Sequence, residues 1–148
     1  MKKLPCIFRK MIWKKALSLE DFHKKQKNSM SAFLKITFTE VGKDFLKATM
    51  PVEVITKQPY GLLHGGANAV LAETVASAAA NYCIEDPSLV AVGVELNVNH
   101  LKAVKEGEIE AKASPLHIGK KTQVWQIEIF QKKVLTAISR LTLMVIAQ

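Results

Sequence analysis

The sequence predicts an α+β domain in which a curved antiparallel sheet wraps one long central helix, and three observations carry that reading. Residues 66–84 are small or apolar with Glu73 as the only charge, the pattern of a helix covered on nearly every side. Residues 89–101, 107–114, 122–131 and 134–147 are rich in β-branched and aromatic residues, as strands are. The connections between these strands are short, which implies antiparallel neighbours in a meander.

Each element follows in order. Ser18-Leu19-Glu20-Asp21 forms a capping box with Asp in place of Glu, predicting a short helix over 19–27. Residues 33–39 and 45–50 read as two strands joined by a turn at Gly42-Lys43-Asp44. A loop holding Pro51 and Pro59 leads through Tyr60-Gly61-Leu62-Leu63-His64-Gly65-Gly66 into the long helix. After it, Glu106-Gly107, residues 117–120 and Gln131-Lys132-Lys133 separate the four later strands. There are no repeats, low-complexity tracts or interdomain linkers, so the expected organisation is a single domain.

Composition narrows the function. A chain of 148 residues, 49% hydrophobic, can bury about 70% of its unfolded surface. Its two cysteines, Cys6 and Cys83, are too few for a disulfide scaffold or a Cys-rich zinc site and suit a reducing compartment. The formal net charge of +8 invites a nucleic-acid reading. However, residues 1–27 hold nine bases against two acids, and residues 28–148 hold twelve against eleven. The basicity therefore belongs to the N-terminal approach, and no nucleic-acid groove is expected from the body of the domain. The apolar run Leu4-Pro5-Cys6-Ile7-Phe8 is too short for a secretory signal. Residues 60–84 contain His64, Asn68, Glu73 and Asn81, which disqualifies them as a membrane span. A cytoplasmic protein is expected.

Glu73 is the most informative residue. Its helical neighbours Ala69, Val70, Ala76 and Ser77 include no cation, and a carboxylate inside a buried helix is costly unless it is paired, hydrogen-bonded or protonated. It is either a reactive group or a buried Glu satisfied by another strand. His64 precedes Gly65-Gly66 at the helix N-terminus, where free N–H groups favour negative charge and glycines allow a ligand close to the backbone. The alternative is an ordinary glycine-led helix start with an exposed His. Along residues 92–100 the even positions are apolar, so His100 is expected on the side of Val92, Val94, Leu96 and Val98. Ser77 stands one turn after Glu73, within reach of its carboxylate or merely filling space. No Gly-x-Ser-x-Gly elbow, Walker loop, dinucleotide fingerprint or His-Glu-x-x-His helix occurs. The four histidines, His23, His64, His100 and His117, are scattered, so no catalytic metal is expected.

The segment 56–66, Thr-Lys-Gln-Pro-Tyr-Gly-Leu-Leu-His-Gly-Gly, followed by Ala72-Glu73-Thr74-Val75-Ala76-Ser77, resembles the active-site segment of hotdog-fold acyl-CoA thioesterases, the small bacterial enzymes that hydrolyse aryl- and acyl-CoA esters. Asn97-Val98-Asn99-His100, residues 115–119 and residues 124–130 also look like that group, and the likeness runs from about Met11 to the C-terminus. The resemblance implies the hotdog fold, with the long helix inside a wrapping sheet. It implies hydrolysis of an acyl- or aroyl-CoA thioester, or of a carrier-protein thioester, with no cofactor beyond the coenzyme A of the substrate. By the same resemblance Glu73 is the catalytic carboxylate, as nucleophile or general base, and the Gly65 N–H is the oxyanion donor. Gln58 orients the thioester or the attacking water, and His64 positions the thioester. Ser77, Gly66 and His100 contact the substrate, while Lys102, Lys105, Lys120 and Lys121 are candidates for the CoA phosphates. The family places Gln58 and Gly65 on one chain and Glu73 and Ser77 on its neighbour, so a homodimer is the minimum active unit and a homotetramer is expected. Met11-Ile12-Trp13-Lys14-Lys15 looks like the usual start of these enzymes, which makes residues 1–10 a basic extension of the domain 11–148. Competing readings are a non-catalytic acyl-CoA or aromatic-ligand binding protein and a hotdog dehydratase.

Overall fold

The computed structural model describes residues 11–148; the basic extension 1–10 lies outside the described residues. The elements are α1 (Leu19–Lys25), α2 (Met30–Phe33), β1 (Thr37–Val41), β2 (Leu46–Pro51), α3 (Gly65–Tyr82), β3 (Leu89–His100), β4 (Glu108–Ile118), β5 (Thr122–Gln131) and β6 (Val134–Ala147). A single 3-10 turn, Val54–Thr56, lies between β2 and α3. Ser18 caps α1 as expected, its hydroxyl accepting from the Asp21 N–H at 3.1 Å. The strand expected over 33–39 begins late. Ser29 caps the Ala32 N–H at 3.3 Å and starts the one-turn α2, and Lys35 then turns the chain at φ 57°, so pairing starts only at Thr37.

The six strands form one sheet in the order β1-β2-β4-β5-β6-β3, with every neighbouring pair antiparallel. Strands β4, β5 and β6 are the expected meander, but β3 is not part of it: it lies outside β6 at the sheet edge. The cause is the connection after β3. The N–H groups of Leu101 and Lys102 both donate to Thr136 O at 2.8 and 3.1 Å, and Val104 O accepts from the Leu63 N–H at 2.7 Å. The chain is thereby led past the start of α3 instead of folding back on β3. Strand β4 also runs further than expected, through Pro115, because a register shift between Pro115 and His117 absorbs the missing N–H.

The core lies between α3 and the sheet. Leu71, Ala72, Val75, Ala76, Ala79 and Ala80 on the helix are buried against sheet residues that include Met50, Ile109, Trp125, Ile127, Ile129 and Leu141. The alanines let the helix axis approach the sheet closely, and the large side chains come from the strands. Gln123 closes the far end, donating from Nε2 to Ala80 O at 3.2 Å and accepting from the Trp125 Nε1–H at 3.0 Å. Helix α1 covers the C-terminal end of α3, with the Phe22 ring 4.5 Å from Phe38 and 4.7 Å from Tyr82. Asn81 ties α3 to the edge strand: its Nδ2 donates to Ala91 O at 3.1 Å, and its Oδ1 accepts from the Ala91 N–H at 2.9 Å.

The helix is not enclosed on all sides as its composition suggested. Gly66 and Glu73 are exposed, and Val70, Thr74, Ser77 and Ala78 are half-buried, at spacings of three and four that make one continuous stripe. The sheet and α1 reach only part of the helix circumference in a single chain. No helix among the described residues is long and apolar enough to cross a membrane.

If close approach of the alanine face fixes the helix on the sheet, Ala76→Leu overfills a site with no free volume. Urea unfolding at fixed protein concentration should show a loss of about 1–3 kcal/mol, and an unchanged midpoint would contradict this packing.

Candidate active site

The loop before α3 is held by its own backbone. Gln58 O accepts from the Gly61 N–H at 2.9 Å, a four-residue turn with Pro59 in its second position and Gly61, at φ 80°, in its fourth. Gln58 and Leu62 pair across the turn at 2.8 Å, and the His64 N–H donates to the O of buried Thr56 at 2.8 Å. The Gln58 side-chain oxygen accepts from the Tyr60 N–H, leaving the carboxamide NH₂ as its free donor.

His64 is the N-cap of α3. Its Nδ1 accepts from the Gly66 N–H at 2.8 Å, which satisfies one of the donors at the helix start and leaves the proton on Nε2. The Gly66 N–H is therefore occupied within the chain. Gly65 heads the helix, and its N–H has no intrahelical acceptor. The His100 ring lies against Gly65 so closely that a Cβ there would sit 2.8 Å from Nε2, which explains the glycine. The His100 Nδ1 faces Asn68 Nδ2 at 3.1 Å. Gln58, Gly65, Asn68, His100 and Lys102 line one cavity of about 320 Å³.

Glu73 is elsewhere. Eight residues separate it from Gly65, which at 1.5 Å per residue is about 12 Å along the helix. Its carboxylate is exposed on the open stripe, so the burial cost expected from the sequence arises only when another surface covers α3. The carboxylate lies over Gly93 of β3, where a side chain would have to push the exposed Oε1 out of this position. A β-bulge produces this arrangement. Pairing with β6 shifts between Gly93 and Glu95, so Ala91 and Gly93 face the helix before it, and Leu96, Val98 and His100 face it afterwards. The expected shared face for residues 92–100 holds only beyond the bulge, and Val92 and Val94 are exposed. Ser77 lines a second cavity of about 470 Å³ with Thr74, Ala78, Phe22 and Phe38.

The four candidate lysines do not converge in one chain. Lys102 lines the Gln58 cavity and Lys105 follows it in the same loop. Lys120 and Lys121 sit at the β4–β5 turn, where Lys121 O accepts from the Val145 N–H at 2.8 Å, at the opposite end of the strands. Asn68, Gly93 and Asn81 are the residues that sequence reasoning passed over. Each carried a signal: polar amides in an alanine-rich helix and a glycine inside a strand.

Cys83, the other nucleophile near α3, is buried at the helix C-cap. Burial pushes its thiol up to about 12, only partly opposed by the Lys14 charge. At pH 8 about one molecule in 10⁴ carries the thiolate. In a Cys6→Ser background, Ellman's reagent should therefore leave the native protein unmodified and titrate one thiol in denaturant; reaction at the rate of a free thiol would contradict this burial.

The chain is similar to known proteins over most of its length. Residues 60–138 match the model of the thioesterase superfamily. The chain is 49% identical over 133 residues to the 1,4-dihydroxy-2-naphthoyl-CoA hydrolase of Escherichia coli K12, covering 89% of this chain and 97% of that one. It superposes on a thioesterase from Haemophilus influenzae with a TM-score of 0.89 at 43% identity, covering 93% and 96% of the two chains. A thioesterase variant from Pseudomonas aeruginosa gives a TM-score of 0.90 at 38% identity, covering 93% and 99%. The family match over residues 60–138, the 49% identity to a CoA-thioester hydrolase and the superposition on thioesterases make this chain a hotdog-fold thioester hydrolase, a member of the thioesterase superfamily.

Proposed function

We propose that the chain hydrolyses aroyl- and acyl-CoA thioesters to the free acid and coenzyme A at a site built from two copies, and that 1,4-dihydroxy-2-naphthoyl-CoA, an intermediate of menaquinone synthesis, is its leading substrate. The 49% identity to the Escherichia coli hydrolase supports that substrate. The observation that carries the two-copy site is the separation of Gly65, at the start of α3 beside the Gln58 loop, from Glu73, about 12 Å further along the same helix. A carbonyl bond is about 1.2 Å long and its reacting partners must stand about 3–3.5 Å away, so one thioester carbonyl cannot touch groups at both ends of that interval.

The open stripe of α3 and the edge strand β3 offer the joining surface. Val92 and Val94 are 38% and 55% exposed on β3, and one side of that strand has no neighbouring strand. Antiparallel association along β3 would set the N-terminal end of one α3 opposite the middle of the other. The Gly65 N–H and Gln58 NH₂ of one copy then bind the carbonyl oxygen, with Glu73 and Ser77 of the second copy on the other side. Glu73 attacks the carbonyl carbon, or takes a proton from a water that does. The oxyanion is held by the Gly65 N–H, and the C–S bond breaks with the thiolate leaving as coenzyme A. If Glu73 itself attacks, water then cleaves the mixed anhydride. No triad is needed, because a thiolate leaves readily. The acyl or aroyl group would occupy the Ser77 cavity, and Lys102 and Lys105 stand where the CoA phosphates would emerge, with Lys120 and Lys121 contributing from another copy. A homotetramer of two such dimers, a cytoplasmic location and no cofactor beyond the substrate's own coenzyme A complete the proposal. Carrier-protein thioesters are a second substrate class for the same chemistry.

A panel of benzoyl-CoA, 1,4-dihydroxy-2-naphthoyl-CoA, medium-chain acyl-CoA and an acyl-carrier-protein thioester, read by release of free thiol, tests the proposal. The aroyl-CoA esters should turn over with the highest kcat/KM, and Glu73→Ala should lower the rate by about 10³. Turnover of Glu73→Ala at the wild-type rate would contradict the mechanism. Tight binding without thiol release would identify a binding protein instead, and an enoyl product from a 3-hydroxyacyl-CoA a dehydratase.

A further inference from the structure

We propose that Asn68 is a positioning residue that holds the His100 imidazole in its Nε2–H tautomer, so that the ring presents a hydrogen-bond donor beside the Gly65 N–H. The consequence for catalysis rests on reading the Gln58–Gly65 cavity as the thioester site; the tautomer itself does not.

Asn68 is only 6% exposed, on the inner face of α3. The rest of that face is Ala67, Leu71, Ala72, Val75, Ala76, Ala79 and Ala80, so a carboxamide is out of character there. Its Nδ2 stands 3.1 Å from His100 Nδ1. In this orientation the carboxamide turns its nitrogen to the ring. An amide nitrogen only donates, so Nδ1 is the acceptor and a neutral ring carries its proton on Nε2. The flipped amide would pair Oδ1 with an Nδ1–H, the opposite tautomer, which the spectra below distinguish. Nε2 is the atom that packs over Gly65, at the place a Cβ would otherwise fill. Gly65 and Asn68 are three residues apart and share one helix face, so the ring lies along that face with one nitrogen on each of them.

The other half of the carboxamide argues against a spacer. Asn68 Oδ1 is buried without a hydrogen-bond partner among the described residues. Such an atom costs stability that an alanine at this position would not. The chain carries that cost where the Asn68 side chain meets the His100 ring. With Asn68 donating to Nδ1, the ring directs its Nε2–H into the cavity that Gln58 lines. A ring free to exchange tautomers would present a lone pair there part of the time, and a lone pair repels a developing oxyanion.

Long-range proton–nitrogen correlation spectra of the full-length protein labelled with ¹⁵N-histidine test this directly, with His100→Gln assigning the signal. In the wild type, Nδ1 should resonate as an unprotonated ring nitrogen and Nε2 as a protonated one. Asn68→Ala should move both toward the average, and Asn68→Asp, which has the same shape but can only accept, should put the proton on Nδ1. Asn68→Ser provides a second reading if the Asp variant does not fold. On the thioester the wild type turns over best, Asn68→Ala and Asn68→Asp should each lower kcat/KM by about tenfold, less than outright loss of an oxyanion donor. In a His100→Ala background, Asn68→Ala should add no further loss. An unchanged His100 tautomer in these variants, or a full additional loss in the His100→Ala background, would overturn the proposal. The spectra need no substrate, so failure of the hydrolase reading would appear as absent turnover with the tautomer shift intact.

Discussion

The rise of an α-helix, 1.5 Å for each residue, is the constraint on which the site depends. Helix α3 carries Gly65, the proposed oxyanion donor, as its first residue and the Glu73 carboxylate eight residues later. A rigid helix cannot bring these together. On the proposed reading one chain provides two half-sites, a donor cavity at the helix start and a carboxylate on the open stripe. The exposed Glu73 and the edge position of β3 are two expressions of the same incompleteness.

The rest of the fold presents those half-sites. Alanines on the inner face seat α3 closely on the sheet, and the opposite half of the helix stays open. His64 closes on the Gly66 N–H, so the helix start is capped by a side chain while the Gly65 donor stays available. The bulge at Val94 lets a single strand supply both Gly93, which makes room for the Glu73 carboxylate, and His100, which covers Gly65. An unbulged strand would place one of the two on the wrong face, since strand side chains alternate. The placement of the proposed site groups depends on one irregular residue in an edge strand as much as on the helix.

Much of this was legible in the sequence. The uncharged run around Glu73 marked the central helix, Ser18 and Asp21 marked the start of α1, and His64 before Gly65-Gly66 marked the start of α3. The unreadable parts share a cause: they depend on which surfaces meet. That Glu73 is exposed in one chain follows from how much of the helix the sheet covers, which no local pattern records. The place of β3 beside β6 is set by the bonds of Leu101, Lys102 and Val104 to distant strands and loops. The Asn68–His100 contact joins residues 32 positions apart. The helical turn at Met30–Phe33 was missed because the Ser29 cap and the positive φ of Lys35 overrode an alternating pattern that suits a strand.

The most direct measurement of the central claim pairs two deficient chains. Glu73→Ala and Gln58→Ala variants, carrying different affinity tags and purified together as mixed dimers, each lack one half of the site. If the half-sites come from different copies, each mixed dimer rebuilds one intact site of two, and about half the wild-type hydrolysis should return. Mixed dimers no more active than their deficient parents would contradict the account, because Gln58 and Glu73 would then have to serve the same substrate from a single chain.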